Sequence, residues 1–226
     1  MKRHLAILIT VSAMLVSCSM EDAFPGGDYY SGQFASDFVG TFNAIATIKK
    51  TPSDTVFFQL NDSTTVYPSN YQNAYTRMER IIGCVHVSDQ PTGSFKYTCW
   101  VDWAESLEEG TVSSSAKGED PIDVLDDWMT AVEDGYLTIH YDAMWGSSAT
   151  IHNFSIVTGS NPANPYELLL KHNANGDAMD QRGDGLVYFD INSLPDTGGQ
   201  YIQLTLKWKN LEGSASERQF KFKTRE

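Results

Sequence analysis

Apolar and polar residues alternate with a period of two over much of this 226-residue chain, and no stretch sustains a helical period. The alternation is clearest at residues 201–209. There Ile202, Leu204, Leu206 and Trp208 interleave with Tyr201, Gln203, Thr205, Lys207 and Lys209. Residues 219–223 repeat it with Phe220 and Phe222 facing in. Residues 150–157, 166–172 and 186–191 read as further strands. Residues 128–132 and 136–141 flank Glu133-Asp134-Gly135, and Asp-Gly is a hairpin signal because both positions tolerate positive φ. About seven strands in some 110 residues predict an antiparallel β-sandwich with one buried face per sheet.

The preceding part has shorter strands. Residues 38–48, 55–60, 64–67, 80–87 and 95–103 are rich in β-branched and aromatic residues, with Asn61-Asp62-Ser63 and residues 89–94 as turns. Five short strands in about 70 residues predict a small barrel or sandwich. Residues 110–118 (Gly-Thr-Val-Ser-Ser-Ser-Ala-Lys-Gly) have almost nothing to bury and mark a boundary. The expected organisation is therefore an all-β chain. It has a first domain at 38–113, a linker at 114–120 and a sandwich at 121–226.

The first residues follow another logic. Met1-Lys2-Arg3 precedes about a dozen uncharged, mostly apolar residues, too few to span a bilayer, which takes about 20. They fit the h-region of a secretory signal, and Leu15-Val16-Ser17-Cys18 resembles the lipobox of bacterial lipoproteins. Residues 1–17 are thus expected to be removed and Cys18 to carry the lipid. Residues 18–37, with Gly, Pro and acids but no apolar period, read as a flexible tether. Removing residues 1–17 of 226 leaves 209. Because the leader holds Lys2 and Arg3 and no acid, the formal charge deepens from −13 to −15. Such a surface repels phosphate, so nucleic acid is excluded as a partner. Acyl chains rather than basic residues must hold the protein at a bilayer.

Taken together, the lipobox and the two β halves resemble the NigD-like lipoproteins of the Bacteroides group. The likeness rests on Asp126-Asp127-Trp128, Asp134-Gly135-Tyr136-Leu137-Thr138-Ile139, residues 168–177 and Val187-Tyr188-Phe189-Asp190-Ile191. Earlier in the chain it rests on Phe58-Gln59-Leu60-Asn61-Asp62 and Thr64-Thr65-Val66-Tyr67-Pro68. The resemblance implies an N-terminal OB-like barrel, a C-terminal β-sandwich and an envelope address, most simply the outer membrane and its surface. It brings no biochemical activity.

Motifs with a chemical mechanism are missing: there is no His-Glu-x-x-His, no Gly-x-Ser-x-Gly and no phosphate-cradling glycine loop, and no cofactor is expected. Cys84 and His86 share a strand face but lack an evident orienting group. Asn173, Asn175 and Asp177 alternate as oxygen ligands of Ca²⁺ would, although Gly176 stands at the fourth position rather than the sixth of an EF-hand loop. A Gly/Asn turn without an ion is the alternative. If strands paired about Gly146, His140 and His152 would lie opposite each other, two ligands short of a zinc site. Trp145, in a loop, and Tyr71 and Tyr75, in a polar connector, are candidates for a glycan- or protein-binding surface.

With the turn centred between Pro91 and Thr92, Cys84 would face Cys99 directly, close enough for a cross-strand disulfide. Two reduced core thiols are the alternative. The charges are also unevenly placed, with eight acids and no Lys or Arg over residues 119–142 and six bases over residues 207–225. They amount either to an electrostatic polarity or to a mutually neutralising surface. The expected function is a non-enzymatic, lipid-anchored accessory module that binds a protein or glycan. A hydrolase whose site assembles between the two domains is the rival.

Overall fold

The computed structural model describes residues 39–72, 79–146 and 149–225. Cys18 and the expected tether lie outside them, as does Tyr75. Among the described residues there are strands and no helix. In chain order the strands are β1 (Gly40–Lys50), β2 (Val56–Gln59), β3 (Thr65–Pro68), β4 (Glu79–Ser88) and β5 (Tyr97–Ser106). They continue with β6 (Glu108–Glu109), β7 (Thr111–Ser113), β8 (Asp123–Val124), β9 (Ala131–Glu133) and β10 (Tyr136–Trp145). The last five are β11 (Asn153–Val157), β12 (Glu167–Asn173), β13 (Gln181–Asp190), β14 (Ile202–Lys209) and β15 (Ala215–Phe222).

The first five strands close into a barrel in the order β1-β2-β3-β5-β4, the order of an OB-like fold. Closure removes the sheet edges that would otherwise invite pairing with another chain. Alternate residues of β1 (Phe42, Ala44, Ala46, Ile48) face the interior with Phe58, Val66 and Val101. Phe58 and Val66 are wholly buried, and a side chain of that size contributes about 1.5–3 kcal/mol when taken from water. By contact this barrel unit takes in Glu133–Gly135 and Arg225 from later in the chain. Asp134 and Gly135 take φ of 52° and 73°, as the Asp-Gly turn requires. Within this unit Lys49 Nζ lies 2.6 Å from Asp134 Oδ1, and the fully buried Arg80 lies 3.9 Å from Glu133 Oε2. Arg80 Nη1 also donates to Thr47 Oγ1 at 3.0 Å. Burial pushes the Glu133 carboxyl up to about 8, with Arg80 opposing and the charges of Asp62 and Asp134 adding to the rise.

The second unit is a sandwich of two five-stranded sheets. One runs β6-β13-β10-β8 with β9 also on β10, and the other runs β15-β14-β12-β11-β7. Its interior is set by the alternation read from the sequence. β12 buries Leu168, Leu170 and His172 at every second position, and β14 buries Leu204, Leu206 and Trp208.

The boundary falls earlier than expected. β6 pairs into the first sandwich sheet and β7 runs parallel to β11, Thr111 opposite Ser155, so the segment taken as the end of the first domain belongs to the sandwich. Gly110 marks the passage. Its N–H donates to Tyr188 O, and a Cβ there would stand 2.1 Å from the ring of Phe189.

Candidate functional site

Side chains with chemistry gather in three places. The first is the outer face of the barrel. β4 and β5 pair antiparallel with Val87 opposite Cys99, His86 opposite Trp100 and Val85 opposite Val101. The register then shifts, and Cys84 faces Trp103. Asp102 is the extra residue of this β-bulge. Before the bulge Trp100 points out and Val101 points in. After it the parity is reversed, so Trp103 points out and Ala104 packs against the core. Trp100, Asp102 and Trp103 therefore project on one side, which strict alternation would forbid.

Gly83 permits the bulge, since a Cβ there would meet the Trp103 carbonyl oxygen at 2.5 Å. Trp100 is 57% exposed and Trp103 41%. His86 Nε2 lies 2.9 Å from Asp102 Oδ2, and Thr41 Oγ1 is hydrogen-bonded to His86 Nδ1. The ring donates from Nε2 to Asp102, and its Nδ1 shares a hydrogen bond with the Thr41 hydroxyl. Asp102 is thus the orienting group for His86 that the sequence did not reveal. Cys84 itself is buried, with Sγ 3.8 Å from Asp102 Oδ2.

The second place is His140, on β10. Its Nδ1 lies 2.5 Å from Asp127 Oδ2 and its Nε2 lies 3.2 Å from Asp184 Oδ2. Carboxylates only accept, so both ring nitrogens carry protons. Burial works against the charged ring, but the hydrogen bonds and charges of Asp127 and Asp184 outweigh it and raise the His140 pKa. Burial also pushes Asp127 up, while His140 and the amides of Met129 and Thr130 pull it below its ordinary value. The array works as a clamp that ties the turn at Asp127 to strands β10 and β13.

The third place lies in the sandwich interior. His152 Nδ1 is 2.9 Å from His172 Nε2, and His172 Nδ1 is 3.2 Å from the carbonyl of Pro121. That carbonyl fixes the proton on His172 Nδ1, so His172 Nε2 accepts from His152 Nδ1–H. His152 Nε2 faces Asp177 Oδ2 at 3.3 Å. Trp145 stacks on His152 with centroids 3.9 Å apart, and Phe154 stacks on His172 at 5.1 Å. Burial lowers the His172 pKa, the neighbouring His152 adds to this, and Pro121 and Asp120 oppose it.

Several expectations are corrected. His140 and His152 are not opposite, because β10 pairs with β13 and β8 while His152 leads into β11 of the other sheet. Trp145 is the last residue of β10, half-buried over His152, rather than a loop residue. Tyr71 is half-buried and packs edge-on against Phe58. The oxygens of the Asn173-Asn175-Asp177 turn are taken by N–H donors. Asn173 Oδ1 accepts from Asn175 N, and Asn175 Oδ1 from Asn173 Nδ2. Asp177 Oδ1 accepts from Ala178 N, and its Oδ2 from Gly146 N. Each of these oxygens thus serves the turn itself or its neighbour Gly146, and among the described residues no group of three His, Cys, Asp or Glu stands as metal ligands would. Cys84 and Cys99 are both buried and outside any disulfide, since Cys99 faces Val87 rather than Cys84. The expected charge polarity is largely neutralised. Arg218 pairs with Asp126 at 2.7 Å and Arg182 with Asp142 at 2.6 Å, while Lys171 bonds Glu119.

A cavity of about 280 Å³ beside Glu119, His172 and Trp208 is smaller than most ligand pockets.

The fold has known counterparts. A protein from Parabacteroides distasonis described as toxin-related shares 24% identity, with a TM-score of 0.66 over 81% of this chain and 94% of its own. A NigD-like immunity protein from Bacteroides caccae shares 18%, with a TM-score of 0.57 over 80% and 94%. A protein from Bacteroides fragilis described as a lipoprotein shares 9%, with a TM-score of 0.56 over 82% and 100%. No curated protein matches by sequence. The model of the NigD-like C-terminal β-sandwich domain matches residues 105–222, more than half of the chain and the whole of the sandwich just described, so this protein belongs to the NigD-like family.

Proposed function

We propose that this protein is a lipid-anchored, non-enzymatic accessory module of the bacterial envelope that recognises a macromolecular partner through the outer face of its barrel. The observation that carries the reading is the bulge at Asp102. It turns two tryptophans outward on either side of an open carboxylate, at a cost in ladder hydrogen bonds that the barrel itself does not need. Large exposed apolar side chains on a closed barrel serve contact with something else. The similarity to proteins described as immunity proteins and as lipoproteins supports an accessory role at a membrane. The lipobox at Cys18 supplies the anchor.

The test is cross-linking in the native envelope, comparing the wild-type chain with the Trp100→Ala/Trp103→Ala double variant. A partner captured by the first and lost from the second is expected. Equal capture by both rules out the barrel face, and turnover of a glycan or peptide substrate by the purified protein rules out the non-enzymatic reading. For the anchor, Cys18→Ala is expected to leave a product without acyl chains by mass spectrometry. Acyl chains on that variant overturn the assignment.

A further inference from the structure

We infer that the Trp100–Asp102–Trp103 face is a receptor for a lysine- or arginine-bearing polypeptide segment, which names the ligand class of the recognition surface proposed above and rests on that reading. Three features of the face select a cation. Asp102 Oδ2 is engaged by His86, while its Oδ1 has no partner among the described residues and stands between two exposed indoles. A carboxylate oxygen of this kind takes a charge-assisted hydrogen bond from an ammonium or guanidinium. The flanking indole faces attract the same groups through their quadrupoles, tryptophan most strongly of the aromatic residues.

The surroundings have the complementary charge. Of the neighbouring outward positions among the described residues, Asn43 and Cys84 are buried, and Thr41, Ile82 and Glu105 carry no cation and one further carboxylate. A chain of net charge −13 adds attraction at long range and repels anionic ligands.

The spacing favours a segment over a single small cation. Trp100 and Trp103 lie three residues apart on one strand, about 10 Å along its direction before the bulge shortens it. An extended peptide presents alternate side chains on one face at about 7 Å, so two basic residues of one segment reach both indoles.

The experiment is a titration of the mature protein with heptalysine, followed by indole fluorescence. Fully Nε-acetylated heptalysine and maltoheptaose serve as uncharged controls. Saturable heptalysine binding is expected, weakened about tenfold by Asp102→Asn and by Trp100→Ala/Trp103→Ala, with no response to either control. The double tryptophan variant keeps the net charge of the protein. If it binds heptalysine unchanged, the attraction belongs to the acidic surface at large and the proposal fails. A response to maltoheptaose that is lost in the double variant makes the face a sugar site and also overturns it, as does the absence of saturable heptalysine binding. Thermal unfolding of each variant confirms that exposed positions were changed without loss of fold. If heptalysine fails while the envelope cross-link still depends on Trp100 and Trp103, the ligand class alone is wrong. If the cross-link is independent of them, the recognition surface itself is.

Discussion

In the barrel, His86 stands at the surface, half exposed, between the Thr41 hydroxyl and the Asp102 carboxylate. In the sandwich, His152 and His172 lie ring to ring beneath Trp145, with Asp177 closing the chain of hydrogen bonds. The residue types match: histidine, aspartate and tryptophan in both. What differs is access to water. At the barrel face both His86 nitrogens are also bonded, but the ring, one Asp102 oxygen and the two indoles stay open to water, so the set can take up a further partner. In the sandwich every nitrogen is committed, so the same set acts as an internal staple. The presence of His, Asp and Trp therefore says little about role until the free valences are counted.

The contrast breaks most sharply under mutation. His152→Ala removes a buried ring, leaves His172 Nε2 without its donor and uncovers Trp145. It should cost about 2–4 kcal/mol of sandwich stability in chemical denaturation. His86→Ala, at an exposed site, should change barrel stability by no more than about 0.5 kcal/mol. Equal losses in the two variants would erase the distinction between staple and recognition surface.

The two units should also respond differently to pH. In the fold Glu133 holds its proton up to about 8, whereas the unfolded carboxyl ionises near 4.5. Folding thus takes up a proton in this window, and barrel stability falls as pH rises from about 4.5 to about 8, by up to about 1.4 kcal/mol per unit. Glu133→Gln should flatten that slope.

In the sandwich the lowered His172 pKa contributes stability that is fully present above 6.5 and lost as pH falls below it. The raised His140 pKa contributes stability present below 6.5 and lost as pH rises through its folded value. The sandwich should therefore be most stable near pH 6.5. Hydrogen exchange followed by mass spectrometry, unit by unit, reads both curves, and parallel curves would refute the comparison.

A smaller effect concerns the thiols. Burial raises the Cys99 pKa to about 12, so at pH 8 it carries little thiolate. Native protein should resist iodoacetamide, and two labels, one on each barrel cysteine, should appear only after unfolding. A persistent unlabelled pair in denaturant without reductant would restore the disulfide.

What the sequence made legible follows from burial on one face. The alternation on β14, β12 and β15 and the Asp-Gly turn before β10 lie where the pattern put them, because each strand has a single apolar side to satisfy. Carried one step further, the same alternation contained the staple. His172 takes the next inward position after Leu168 and Leu170, and His152 the one before Phe154 and Ile156. The register of β4 against β5 was not legible. Thr92 bridges Phe95, and the Thr98 hydroxyl bonds both Gln90 O and Thr92 Oγ1, which moves the turn toward Gly93 and carries Cys84 away from Cys99. Local composition does not encode a bulge two strands' width from a turn, so the recognition face escaped notice with it. Residues 109–113 were assigned to the wrong unit for a similar reason. Two and three residues are too short to show a period, and only their partners on β13 and β11 give them a side.

The bulge has a genetic consequence as well. Since Asp102 is the supernumerary residue, the face is written in the length of β5 rather than in its letters. Losing that single codon would restore an unbroken ladder and keep both tryptophans opposite the partners they have now. Yet it would delete the one carboxylate between them and free His86 of its orienting contact. Relatives of this chain that retain both tryptophans but lack the extra residue should keep the barrel and lose the charge at its centre. Aligning such chains without allowing a gap here would pair residues that point to opposite sides of the wall.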